Sequence, residues 1–256
     1  MLGPLDLLSV SAAAVAAGAV NALAGGGTLI TFPVLLAVGV PAVAANITST
    51  VALCPGYLGA AIAQKDDLRG QRGRMLVLLP MCAAGGMLGA WLLLQTGERA
   101  FRQLIPLLIL LASALLAVQE PMRAWLQRGR SDSGAALPAA ADAGWSAAAL
   151  AAVAAVYGGY FGAGLSVIVL AVLGLTLQDS LTRLNALKQA ASLSVNLAAA
   201  AFFLFSGEVV WGAALVMAAS ALIGGAIGGR LAGRIRPQAL RWTVVAVGIT
   251  IAFLYW

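Results

Sequence analysis

Asn21–Pro33 reads NALAGGGTLITFP, three consecutive glycines between two apolar runs, at a place where a membrane helix would otherwise continue. In hydrocarbon every backbone N–H and C=O needs a partner inside the protein. A broken helix is tolerated there only where protein or a water-filled cavity covers the freed groups. A second, weaker break stands at Tyr157–Ser166, YGGYFGAGLS. The two breaks are expected to face each other and to line a common site.

The composition around them allows one class of protein. Of 256 residues, 62% are hydrophobic and 9% charged, more apolar side chain than a soluble domain of this size can bury. Abundant Ala and Gly with few aromatics favour closely packed helices over a barrel with aromatic girdles. The net charge of +6 is not a nucleic-acid signal, because the cations cluster in a few loops, as cytoplasmic membrane loops require. Histidine is absent, and Cys54 and Cys82 lie in separate apolar runs, so no metal, cofactor or disulfide pattern is present. The N-terminus carries Asp6 and no cationic leader, and reads as mature protein.

Apolar segments fall at roughly 5–24, 28–40, 43–63, 75–95 and 101–119, and again at 144–161, 164–177, 184–205, 209–229 and 240–256. Segments 28–40 and 164–177 are short for a crossing of about 20 residues, and each reads as one arm of a dipping hairpin or a short tilted span. A shift of 139 residues superposes 21–117 on 160–256 without a gap, placing Gly25 on Gly164, Asn46 on Asn185, Gly85-Gly86 on Gly224-Gly225 and Arg102 on Arg241. The chain thus divides into repeats 1–119 and 144–256, joined by a polar linker at 120–143. Loop 64–74 has four cations and its counterpart SGEVVW none, while the second half concentrates Arg230, Arg234, Arg236 and Arg241 in its last loop. Equivalent loops therefore lie on opposite sides, the mark of an inverted-topology repeat. The expected architecture is an all-α polytopic membrane protein of two inverted repeats, each a broken hairpin followed by three transmembrane helices. Loops 64–74, 120–143 and 230–241 are expected in the cytoplasm, and both chain ends outside.

This chain resembles the sulfite exporter TauE/SafE family of bacterial membrane transporters over nearly its whole length. The resemblance rests on GGGTLITFPVLLAVGVPAVAAN in the first half and on YFGAGLSVIVLAVLGL, NALKQAASLSVN and SGEVVWGAALVMAASALIGGAIGGRLAGR in the second. It implies a multi-pass protein of the bacterial inner membrane. It also implies export of a small anion such as sulfite or sulfoacetate, the bilayer as the other partner, and room for a homo-oligomer.

The residues offer a site of matching character. Gly25, Gly26, Gly27 and Thr28 would start a half-helix whose first N–H groups lack intrahelical partners and attract an anion, and Gly164 and Ser166 would supply a second such terminus. The alternative is that these glycines only let helices approach closely. Asn46, with Thr48 two residues on, and Asn185 start the long segment after each hairpin and read as pocket walls, with interhelical hydrogen bonding as the alternative. Asn185, Gln189, Ser192 and Asn196 form one helical stripe, which belongs against protein or water rather than lipid. Lys188 is the basic residue well inside an apolar segment, either a counter-charge for the anion or a side chain snorkelling to the headgroups. The membrane interior lacks Asp, Glu and His, so neither an acid–base pair for catalysis nor a carboxylate proton relay is available, and an enzyme is disfavoured. A channel with facing half-helices remains the alternative to a carrier.

Overall fold

The computed structural model describes residues 2–23, 26–132, 141–231 and 237–255. Among these, the backbone is helical almost throughout: α1 (Pro4–Leu23), α2 (Thr28–Ala37), α3 (Ala42–Ala63), α4 (Arg72–Asp132), α5 (Ala141–Tyr160), α6 (Leu165–Thr176), α7 (Leu181–Phe203), α8 (Trp211–Leu231) and α9 (Pro237–Leu254). No strand occurs among the described residues. Each apolar segment of the sequence has its helix. A chain immersed in lipid has little choice, since only helices satisfy their own backbone within one segment.

Two boundaries differ from the sequence reading. Helix α4 holds two spans in one element, divided at Gly97, whose φ of 70° and ψ of 164° break the helical path. Its second arm continues to Asp132, so the first half of the stretch expected as a linker is helical. Helix is preferred there because Met122, Trp125 and Leu126 carry the apolar stripe past residue 120, and Leu126 packs on Gly174 of α6. Arg234 and Arg236 lie outside the described residues.

The short elements α2 and α6 are returning arms. At about 1.5 Å per residue they measure only about 15–18 Å, against a hydrocarbon thickness of about 30 Å. A Cβ on Gly27 would stand 2.7 Å from the carbonyl oxygen of Ala17, a residue that unbroken helix would leave about 15 Å away. The chain therefore doubles back at the first break.

Packing follows the 139-residue shift. Helix α1 packs on α8, and its counterpart α5 packs on the first arm of α4; α3 meets α8 as α7 meets α4; α2 lies between α1 and α3 as α6 lies between α5 and α7. Glycine makes the two closest seams. A Cβ on Gly224 would collide with the Val15 carbonyl, and one on Gly89 with the Val156 carbonyl. Backbones at van der Waals distance are how helices associate where lipid is as apolar as the side chains. Leu76, Leu107, Val153, Leu215 and Phe253 remain exposed, an apolar exterior suited to acyl chains.

Candidate functional site

The first break is held by Asn21. Its Oδ1 accepts the Gly27 N–H at 2.9 Å, while Gly26 takes φ 94°, a conformation that favours glycine. Gly27 occupies the N-cap position of α2. Thr28 is the buried first helical residue. Gly25 lies outside the described residues. At the second break Gly162 and Gly164 both take φ 81°, Gly164 caps α6, and Ser166 is buried in its first turn.

The two breaks are neighbours. Phe32, early in α2, meets Phe161 edge-on at 5.4 Å, and Phe101 packs on both. Gly26 rests against Leu116 and Gly164 against Leu115, so one stretch of α4 backs both turns. In this conformation buried aromatic rings, not a polar gap, fill the space between them.

The sequence-expected polar residues separate into two groups. Asn46 is fully buried and donates its Nδ2 to the Tyr160 carbonyl at 2.9 Å, closing off the C-terminal end of α5 at the second break. Thr48 is equally buried, and its Oγ1 accepts the Val210 N–H at 3.0 Å. Both tie one half of the chain to the other. The second group gathers near the C-terminal end of α3. Lys188, 7% exposed, donates to Asn185 Oδ1 at 2.8 Å, and Asn185 Nδ2 donates to Gln64 Oε1 at 2.8 Å. Arg123 also reaches Asn185 Oδ1, at 3.4 Å. Lys188 thus turns inward onto an amide instead of snorkelling outward.

Gln64, Gln189 and Asn21 share a cavity of about 380 Å³ between α1, α3, α7 and α8, floored by Gly18, Gly56 and Gly225. That volume lies within the range of about 300–1,000 Å³ usual for small-molecule sites. Of these three, Gln189 was among the residues expected from the sequence, and Asn21 and Gln64 were not. Asn21 opens the glycine-rich stretch itself, and the polar residue preceding the first break was the available signal. Gln64 carried none, since it reads as the first residue of a charged loop. At the other end of the molecule a wider basin of about 880 Å³ is bounded by Glu98, Arg99, Arg102 and Gln103.

Equivalent positions in the two halves are packed unequally. A Cβ on Gly86 would stand 2.7 Å from the Val195 carbonyl, a closed seam between α4 and α7. The shift carries this pair onto Gly225 and Gly56. There the seam is parted: nothing comes within 4 Å of a Cβ on Gly56, and the gap is the cavity.

A family model described as "Sulfite exporter TauE/SafE" matches residues 10–255. The chain belongs to the TauE/SafE family. It is 28% identical over 236 residues to proteins named "Probable membrane transporter protein YfcA" from Escherichia coli strains K12 and O157:H7, covering 90% of this chain and 82% of each relative. No solved structure matches it. As a TauE/SafE member this is a membrane transporter, not an enzyme, and the helical bundle with its apolar exterior is the structure of such a protein.

Proposed function

We propose that this TauE/SafE protein exports a small anion, sulfite or a related organosulfonate, across the bacterial inner membrane by alternating access. Two inverted repeats, 1–119 and 144–256, rock about the paired breaks, and loops 64–74, 120–143 and 230–241 face the cytoplasm. The carrying observation is the unequal packing of equivalent seams: Gly86 closed on Val195, Gly225 parted from Gly56. A protein whose halves exchange these two arrangements opens first at one end and then at the other. The present conformation opens at the end bearing Gln64 and the 64–74 loop. The half-helix termini at Gly26–Thr28 and Gly164–Ser166 meet the anion as the aromatic contact between them parts.

A carrier is favoured over a channel by the rings of Phe32, Phe101 and Phe161, which occupy the place a continuous pore would need. Purified protein in proteoliposomes is expected to move sulfite with saturable kinetics and to show counterflow. Gly26→Leu, which puts a branched side chain at φ 94° against Leu116, is expected to abolish transport. Absence of sulfur-oxyanion flux in the unmodified protein, or full activity in Gly26→Leu, would falsify the proposal.

A further inference from the structure

No charged side chain lines the cavity beside the first break, yet its polar groups are not neutral in orientation. A guanidinium only donates hydrogen bonds. With Arg123 and Lys188 both directed at Asn185, the atom they share must be its carbonyl Oδ1. Asn185 then has its NH2 to give, and gives it to Gln64, whose Oε1 is thereby used as acceptor. What Gln64 has left is its NH2. The same reasoning applies across the cavity. Asn21 spends its Oδ1 on the Gly27 N–H, leaving its NH2 buried beside the Tyr57 hydroxyl with no partner of bonding geometry. Gln189 completes the wall. Two independent hydrogen-bond chains thus leave Gln64 and Asn21 with unspent donors at the cavity.

We propose that this cavity is the cytoplasmic receiving site for the anion, bound by the amide N–H groups of Asn21, Gln64 and Gln189. Lys188 and Arg123 act as positioning residues one hydrogen-bonded step behind it. The assignment rests on the export reading above and gives it a first binding step. Cations held behind an amide polarise it toward the ligand without forming a tight ion pair, which suits a site that must also release. Glu120, 3.8 Å from Arg123 and 3.2 Å from Arg241, holds the outer cation in place.

The test is the KM for sulfite efflux from proteoliposomes, with thermal unfolding in detergent measured alongside. Gln64→Glu replaces the donor by a carboxylate on the cavity wall and is expected to raise KM about tenfold or more at unchanged melting temperature, the size of one lost charge-assisted hydrogen bond. Lys188→Gln should raise KM by a smaller factor, and Lys188→Arg should restore it, as a purely structural role would not require. If Gln64→Glu and Lys188→Gln both transport with unmodified KM, the receiving site is wrong and the export reading stands. If the unmodified protein moves no sulfite, both fall together.

Discussion

Asn46 and Asn185 occupy equivalent sequence positions and do different work. Asn46 is sealed against the backbone of the opposite half, while Asn185 sits in a relay between two cations and a cavity wall. Pairs of residues that a repeat makes equivalent can therefore diverge once each is set in its own surroundings. Asp179 carries a prediction at this scale. It lies 2.6 Å from Arg74 and 2.9 Å from Arg183, tying the start of α4 to the loop before α7. Partial burial alone would raise its pKa, but the two guanidiniums and the Ser180 N–H outweigh that and hold the carboxyl below its usual range. A depressed carboxylate stabilises the fold above its unfolded pKa of about 3.9, and the contribution is lost as pH falls through the lower folded value. Asp179→Asn should therefore lower the melting temperature at pH 7 and flatten the loss of stability expected of the unmodified protein below about pH 4.

At the scale of elements, the breaks and the seams are two uses of glycine with different physics. At Gly26 and Gly164 the requirement is a positive φ; at Gly89 and Gly224 it is the missing Cβ. Gly224→Leu should separate α1 from α8 and cost at least about 1–3 kcal/mol of overpacking, visible as early unfolding in detergent. Gly56→Ala, with open space around it, should be tolerated or stabilise by up to about 1 kcal/mol through helix propensity. Another element was hidden from the sequence. Glu98 at the Gly97 turn accepts the Ala42 and Val43 N–H groups at 2.7 and 2.9 Å, a carboxylate capping the N-terminus of α3 from another segment.

For the whole molecule, the proposed alternation is tested at the closed seam and at the loops. Gly86→Leu, which would drive a branched side chain into the Val195 carbonyl 2.7 Å from the Gly86 Cβ position, should hold that seam apart and arrest transport; a variant that still turns over at the full rate would place the alternation elsewhere. In a chain with Cys54→Ala and Cys82→Ala, Asp66→Cys should resist an impermeant maleimide applied to intact cells, while Glu208→Cys should react. The reverse pattern would invert the topology. Described residues from 64–74, 178–183 and 120–132 do lie together: Arg183 reaches the Arg69 carbonyl, Arg74 pairs with Asp179, and Arg123 reaches Asn185.

The sequence by itself determined the helices, their breaks and their pairing across a 139-residue shift. Hydropathy, glycine runs and loop charge act on neighbouring residues, and in lipid they leave the backbone no other solution. The tertiary structure decided what the polar residues touch. Asn46 finds its carbonyl 114 positions away and Asn185 its glutamine 121 positions away, contacts that no local pattern encodes. It also decided which of two equivalent seams is closed. The two seams pack differently although their positions correspond across the shift, so the asymmetry belongs to the assembled fold and to neither repeat alone.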